Sequence, residues 1–236
     1  MKNHQTKEMK SSLWSILGIG AVALLAAALP LIAQTPDFAQ AQRVNAAALQ
    51  QYEWKSRTEI QSDGETKRVQ LALMRFDNHG DMQRTLLSSS PEPDLPTRGL
   101  RGMIAQKKKK EFKERIEELS TLARSYSELA PETMQRFMAT ATVTPELTVQ
   151  HKMVRIEGRS VLHSGDSMTV WIDAASRKQR RVEIQTYLDK KLVRIVSEFQ
   201  DLPQGGPTFV ARSQVNYDGR ELVIITENFD HARAQL

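Results

Sequence analysis

Long strand-like segments separated only by turn signals fill the C-terminal half of this 236-residue chain. Within each segment, apolar and polar side chains alternate or a short aliphatic run occurs, as is typical of half-buried strands. Connections this short leave no room for crossover helices, so neighbouring strands must pair antiparallel. The predicted strands are residues 149–157, 168–173, 179–188, 192–200, 208–217 and 221–229.

The N-terminal half carries a second, smaller group of strands. Over residues 52–61, apolar and small side chains alternate with charged ones, which predicts a strand with one solvated face. Asp63-Gly64 is a two-residue hairpin signal. Further strands are predicted at 67–76 and 82–87. A short Ala-rich helix, residues 42–51, precedes this meander.

A helical region separates the two groups of strands. Residues 88–96 are rich in Ser and Pro and predict a linker. Apolar residues then recur at three- and four-residue steps over 102–129, which predicts a helix. A second helix is predicted to begin at Pro131 and to end before Pro145, so that the two form a helical hairpin.

These segments together predict an α+β fold. We expect an antiparallel, strongly curved β-sheet of about nine strands, an unclosed β-barrel, covered by the N-terminal helix and the hairpin. We expect one domain over residues 42–236, with the helical insertion at 98–142.

The N-terminus has the pattern of an export signal. Three lysines within residues 1–12 precede twenty uncharged residues, 13–32, and Ala39-Gln40-Ala41 offers a small-x-small cleavage site. Residues 1–41 are predicted to be a signal peptide. The twenty uncharged residues are also long enough to span a bilayer, so an uncleaved anchor is the alternative. Either alternative places the rest of the chain outside the cytoplasm, anchored to the membrane if the signal is not cleaved.

The residue content argues against most kinds of catalytic chemistry. The chain has no cysteine, which excludes disulfides, thiolate nucleophiles and Cys-ligated metals. Paired metal-ligand spacing, GxSxG and P-loop patterns are absent. We therefore predict no cofactor, no metal and no catalytic residue. Ser160, His163 and Asp166 leave open a dispersed hydrolytic site, but we interpret them as polar residues that flank a hairpin turn.

A basic run marks the start of the helical region. Between Arg98 and Arg136 there are ten basic and six acidic residues, and Lys107, Lys108, Lys109 and Lys110 are consecutive. Such a run is either a solvated helix face or a surface for an anionic membrane or an envelope protein. Nucleic acid is not expected, because the chain is exported and no aromatic residues are interleaved with the lysines.

One face of the predicted sheet is broadly aliphatic, and the hairpin is its expected cover. This face becomes either a filled core or a cavity for acyl chains, and the sequence leaves both open. The predicted cavity lining is Trp54, Leu71, Leu73, Val170, Ile172, Val182 and Ile184. The predicted lid residues are Phe112, Ile116, Leu119, Met134, Phe137 and Met138.

The chain resembles the periplasmic lipoprotein-sorting superfamily that includes LolA, LolB and RseB. The resemblance rests on the aromatic-led first strand at Tyr52-Glu53-Trp54 and on the segment 165–173, which ends in Trp171-Ile172-Asp173 and returns through Arg180-Arg181. The closing segments 217–219 and 226–230 agree with it. It covers residues 42 to 232 approximately.

The resemblance implies an unclosed barrel with a helical lid and a hydrophobic cavity for acyl chains, without catalysis. It also implies a location in the periplasm of a Gram-negative-type envelope, with an inner-membrane anchor if the signal is not cleaved. The function expected from the resemblance is a non-enzymatic periplasmic binding protein for lipid acyl chains or lipoproteins, with a carrier or sorting role. An RseB-like envelope sensor or protein-interaction module without lipid transport is the alternative.

Overall fold

The computed structural model describes residues 44–91, 99–147, 152–219 and 221–234. The predicted signal segment 1–41 and most of the predicted linker lie outside the described residues. The strands are β1 Tyr52–Ser62, β2 Glu65–Phe76, β3 Met82–Ser89, β4 Thr142–Leu147, β5 Lys152–Arg159, β6 Ser167–Asp173, β7 Gln179–Leu188, β8 Lys191–Asp201, β9 Thr208–Tyr217 and β10 Leu222–Arg233. The helices are α1 at residues 44–49, α2 Gly99–Ser127 and α3 Pro131–Thr140.

All ten strands belong to one antiparallel sheet, in the order β3-β2-β1-β10-β9-β8-β7-β6-β5-β4. Strands β4 to β10 form a continuous meander, and β1 joins the smaller meander to it by pairing with β10. Within the described residues β3 and β4 are the two edges, so the sheet does not close into a barrel. The predicted α+β class and open antiparallel sheet are confirmed.

Irregularities in the ladders bend the sheet. The register shifts between β1 and β10 near Glu53, between β1 and β2 near Ile60, and between β8 and β9 near Phe199. Further shifts occur in the β2–β3 and β6–β7 pairs. An extra residue on one strand bends that strand and increases its twist. Five such points in one sheet give it the curvature that lets helices lie against one face.

The tight turns follow the sequence signals. Asp63 and Gly64 both adopt positive φ between β1 and β2, as a type I′ hairpin requires. Asp189 and Lys190 do the same between β7 and β8. The predicted bounds of β7 and β9 match the observed ones, and the other predicted strands differ by one to four residues at their ends within the described chain.

The sheet has one strand more than predicted. The additional strand, β4, pairs with β5 along its whole length and places Pro145 opposite Val154. The prediction of about nine strands missed it because Pro145 was interpreted as following the hairpin, whereas a proline without an N–H is tolerated on an edge strand. Ser88 and Ser89, predicted to begin the linker, instead end the other edge strand, β3.

The two long helices form the predicted hairpin. Helix α2 begins at Gly99, three residues earlier than predicted, and α3 has Pro131 in its first turn, where a missing N–H costs nothing. Over the described part of the chain, each helix is either too short or too polar to cross a bilayer.

The main core lies between the hairpin and one face of the sheet, which we call the inner face. Buried side chains from α2, α3 and strands β1 and β5 to β10 form one continuous cluster there. Its largest fully buried members include Phe137 and Leu119 from the hairpin and Ile156, Ile172 and Ile224 from the sheet. Burial of such side chains is worth about 1.5–3 kcal/mol each, so this layer dominates the stability of the fold.

Candidate functional site

Strand pairing fixes which side chains share the inner face. Ile156, Val170 and Val182 lie opposite one another across β5, β6 and β7. Ile184 pairs with Ile195, which pairs with Val215 on β9. Because side chains directly opposite in antiparallel strands point to the same side, these residues form an aliphatic surface that crosses half of the sheet.

Four predicted lining residues lie in this surface beneath the hairpin. Val170, Ile172 and Ile184 are buried members of the main core, and Val182 is partly buried against it. Trp54 is on the inner face too, but it belongs to a second, smaller cluster with Ala72 and Met74. The predicted lining therefore divides into a covered aliphatic part and a separate aromatic part.

The other two predicted lining residues lie on the wrong face. Trp54 pairs with Met74, whereas Leu73 pairs with Lys55 and Leu71 pairs with Arg57. Side chains alternate along a strand, so Leu71 and Leu73 belong to the outer face with the charged residues of β1. Their placement in the cavity is a wrong prediction, which arose because β2 carries apolar residues on both faces.

All six predicted lid residues lie in or against the main core. Leu119, Met134, Phe137 and Met138 are buried there, whereas Phe112 and Ile116 are partly buried at its margin. In this structure the hairpin packs directly on the sheet, and side chains from both fill the space between them.

The hairpin approaches the sheet closely at Gly158 on β5. A Cβ atom at this position would lie 2.6 Å from two ring carbons of Phe137 on α3. Real side chains do not approach this closely. Gly158 therefore provides the space into which the Phe137 ring fits.

A buried polar cluster, which we call the clasp, also joins the hairpin to the sheet. The Tyr126 hydroxyl on α2 donates to Asp166 Oδ2 at 2.5 Å and lies 2.9 Å from Thr186 Oγ1 on β7. A tyrosine has one hydroxyl proton, so Thr186 is the donor in the second bond. Asp166 also accepts from the backbone amides of Val161, Leu162 and His163.

Electrostatics keep the clasp in one protonation state. Burial alone would raise the pKa of Asp166, but hydrogen bonds from Tyr126 and the three amides outweigh it and hold the pKa below its ordinary value. Burial, together with the bond to Asp166, raises the pKa of Tyr126. The clasp therefore consists of an ionised carboxylate and a neutral phenol at neutral pH.

A second polar contact lies at the margin of the hairpin. Arg115 on α2 forms an ion pair of 2.7 Å with Asp189 in the β7–β8 turn. Its guanidinium also lies 5.4 Å from the ring centre of Tyr217, a distance at which the cation is attracted to the ring. Arg115 therefore connects the middle of α2 to two strands of the sheet.

A row of polar side chains crosses the inner face beside the aliphatic surface. Register places Gln70, Thr58, Thr226, Ser213 and Ser197 side by side on five neighbouring strands. The Ser197 and Ser213 hydroxyls are 3.2 Å apart and bond to each other. Among the described residues, the buried Thr226 Oγ1 has no hydrogen-bond partner. A buried hydroxyl without a partner costs free energy, so its presence needs an explanation.

An aromatic group surrounds the smaller cluster. The His231 ring stacks against Trp54 at 5.8 Å and lies 4.0 Å from Phe209, measured between ring centres. Burial lowers the pKa of His231 to about 4, although neighbouring Asp230 opposes the change. The imidazole is therefore neutral at physiological pH and packs as an aromatic side chain.

The predicted basic run lies on the first half of α2. Lys107, Lys108 and Lys110 are exposed, and Lys110 forms an exposed ion pair with Glu114 at 3.6 Å. Lys109 is partly buried. The run is thus a surface feature, outside the core that the second half of α2 helps to build.

Of the candidate hydrolytic residues, Asp166 has a structural role. The Asp166 carboxylate accepts four hydrogen bonds, which cap the loop from Ser160 to Gly165 and hold Tyr126. Ser160 adopts positive φ in that loop. In the four described ranges, no group of three His, Asp or Glu side chains could hold a metal ion.

Comparisons with other proteins give distant structural similarity alone. No protein-family model and no curated protein sequence matches the chain. A DUF1329 family protein from Desulfovibrio piger is similar, with a TM-score of 0.41, 10% identity, and coverage of 83% of this chain and 91% of that one.

Two further solved structures are similar. One is a putative outer membrane lipoprotein-sorting protein domain from Vibrio parahaemolyticus, with a TM-score of 0.45, 11% identity, and coverage of 83% and 90%. The other is a LolA superfamily protein from Nitrosomonas europaea, with a TM-score of 0.33, 10% identity, and coverage of 82% and 94%. Likeness at this level concerns the fold and does not assign a role.

The sequence analysis missed the clasp and named Asp166 only as a candidate hydrolytic residue. Tyr126 is 40 residues from Asp166 and 60 from Thr186, so no local pattern connects them. The only sequence signal for the clasp was Tyr126 on the apolar face of α2, because a buried tyrosine hydroxyl needs a polar partner. The predicted strand 149–157 ends before Gly158, whereas Gly158 lies within β5.

Proposed function

We propose that this chain is a non-enzymatic periplasmic binding protein that holds the acyl chains of lipids or lipoproteins between its helical hairpin and the inner face of its sheet. The proposal rests on the kind of element that covers this face. In the described residues, a hairpin rather than a second sheet lies over the aliphatic surface, and buried Met134, Phe137 and Met138 occupy the space that an acyl chain would fill.

The energetics allow such an exchange. Each methylene that leaves water for an apolar surface contributes about 0.8 kcal/mol, so a lipid tail of ordinary length contributes on the order of 10 kcal/mol. Lifting α3 withdraws Phe137 and two methionines from the sheet, at a cost of the same order. Methionine side chains adapt to irregular apolar shapes, which suits a cover that must close with and without a ligand.

The polar row supplies a place for the polar end of the ligand. An acyl chain lying along Val170 and Ile184 ends beside Ser197 and Thr226, and the unpartnered Thr226 hydroxyl would bond a carboxylate or ester oxygen. Thr226→Val replaces this hydroxyl by a methyl group of similar shape. We expect unchanged or increased stability together with weaker binding of a fatty acid. Reduced stability with unchanged affinity would exclude this role of Thr226.

A crosslink across the margin of the hairpin tests the proposal. The chain has no native cysteine, so Arg115→Cys with Asp189→Cys introduces a unique pair where an ion pair of 2.7 Å now lies. A short bifunctional thiol reagent then fixes α2 to the β7–β8 turn. The same double variant capped with a monofunctional reagent is the matched control.

Binding of a fluorescent fatty acid to delipidated protein is the measurement. We expect saturable binding by the wild-type and capped proteins and its loss in the crosslinked protein. Equal binding by crosslinked and capped proteins would show that the hairpin does not gate the site. Absence of binding by the wild-type protein would contradict the proposed function.

A further inference from the structure

The first three turns of α2 combine exposed apolar side chains with positive charge. Leu100, Met103 and Ile104 are exposed at 74%, 71% and 50% of their surface, among the largest values for apolar residues in the described chain. Arg101 and Lys107–Lys110 complete a segment, Gly99 to Lys110, that contains no acidic residue. We call this segment the α2 tip.

The apolar residues of the α2 tip do not point toward the core. At about 100° per residue, Leu100, Met103 and Ile104 share one side of the helix, about 130° around the axis from the residues that pack on the sheet. The buried residues that pack through side chains, Leu119 and Tyr126 among them, lie in the second half of α2. Gly102 in the α2 tip is buried too, on the side of the helix away from the stripe. The exposed stripe is therefore a separate outward surface that the closed hairpin does not use.

Charge surrounds this stripe on its exposed sides. Helical spacing puts Lys107 on the same side as the stripe, one turn beyond Ile104, with Lys108 and Lys110 on its two flanks. The first acidic residues, Glu111 and Glu114, follow immediately, and Glu114 pairs with Lys110. The surface that combines apolar contact with positive charge thus ends at Lys110.

We propose that the α2 tip docks the protein on the surface of an anionic phospholipid bilayer. Large apolar side chains flanked by lysines are the composition of helices that lie in the headgroup region, where the apolar groups enter the acyl boundary and the cations meet lipid phosphates. Charge complementarity favours this occupant over a second copy of the chain, whose α2 tip would carry the same positive charge.

Vesicle flotation tests the docking. Full-length mature protein should float with vesicles of phosphatidylcholine and phosphatidylglycerol, should not float with phosphatidylcholine alone, and should detach as salt concentration rises. Each basic residue near an anionic surface contributes about fivefold to affinity, so Lys107→Gln, Lys108→Gln and Lys110→Gln together should weaken binding about 100-fold. Replacing Leu100, Met103 and Ile104 by Gln should weaken it by more than about tenfold.

Matched variants elsewhere on the surface control for charge and hydropathy. Lys152→Gln, Lys191→Gln and Arg194→Gln remove the same charge from exposed positions of the sheet. Leu86→Gln with Leu87→Gln removes two leucines that are each 49% exposed on an edge strand. Both control proteins should float like the wild type. Equal loss in control and α2-tip variants would contradict the proposal.

An environment-sensitive dye on Met103→Cys gives an independent readout. Its emission should shift to the blue with anionic vesicles and should stay unchanged for a dye on Leu86→Cys. No shift would overturn the proposal. A shift that appears without vesicles, as the protein self-associates, would also overturn it and would indicate a protein contact instead. Fatty-acid binding by the α2-tip variants should equal that of the wild type, so a failure here is distinguishable from a failure of the proposed function.

Discussion

Tyr126 on α2 donates a hydrogen bond of 2.5 Å to Asp166, which lies 40 residues away in the loop before β6. The same carboxylate caps its own loop through three backbone amides. One buried charge thus orders a loop and fixes the hairpin above the inner face. Because both groups are buried, this contact should hold the hairpin to the sheet more strongly than an exposed ion pair would.

Tyr126→Phe should destabilise the protein and loosen the hairpin. The substitution keeps the ring but removes a bond to a charged acceptor, which costs about 1.5–3 kcal/mol in the free energy of unfolding. Denaturant unfolding measures this cost, and hydrogen exchange should increase in α2 and α3. Tyr187→Phe, at a tyrosine that is 53% exposed, is the control and should change neither. A Tyr126→Phe protein as stable as the control would mean that the clasp carries no net energy.

Gly158→Ala should destabilise the protein because it fills the space that the Phe137 ring occupies. Its added methyl group would lie 2.6 Å from the ring, and overpacking of this kind costs about 1–3 kcal/mol. Phe137→Leu frees that space, so the double variant should lose less stability than the two single losses combined. Additive losses in such a cycle would show that Gly158 and Phe137 do not compete for the same space.

A charged substitution on β7 and a polar, uncharged one on β2 should distinguish the two faces of the sheet. Ile184→Lys puts an unpaired charge into the main core and should prevent folding, because a buried ion without a partner costs several kcal/mol. Leu73→Gln lies on the outer face opposite Lys55 and should change the free energy of unfolding by less than about 1 kcal/mol. Circular dichroism and thermal unfolding measure both. A large loss of stability in Leu73→Gln would show that Leu73 packs in the core and not on the outer face.

This contrast also shows how far sequence patterns reach. Regular alternation predicted the bounds of β7 and β9, and helical spacing predicted which hairpin side chains lie in or against the main core, because these elements have one apolar side each. On β2 both sides are apolar, so alternation could not say which side the hairpin covers. The choice between Leu73 and Met74 depends on pairing with β1, which is a long-range property.

Long-range contacts account for the remaining differences. Strand β4 was missed because its proline is acceptable only at an edge, and the position of a strand in the sheet is not visible locally. The clasp and the Arg115–Asp189 pair likewise join segments far apart in the chain.

His231 should make stability depend on pH. Its pKa is lowered to about 4 in the folded protein, against 6.5 in an unfolded chain. Between these values the unfolded chain binds the additional proton, so stability falls as the pH falls through this window. The loss should be about 1–2 kcal/mol, because His231 is only partly buried. His231→Phe should remove this loss of stability, whereas the control His79→Gln, in an exposed turn, should retain it. Denaturant unfolding at pH 7 and pH 4.5 measures the loss in each protein.

The central claim is that an acyl chain lies between the hairpin and the inner face. A fatty acid with a photoreactive group near the end of its chain, irradiated in complex with delipidated protein, tests it most directly. We expect peptide mapping to locate the label on inner-face residues of β6 and β7, such as Val170 and Ile184, and on α3 near Met134. Labelling confined to the outer face or to the α2 tip, or no saturable labelling, would contradict the claim.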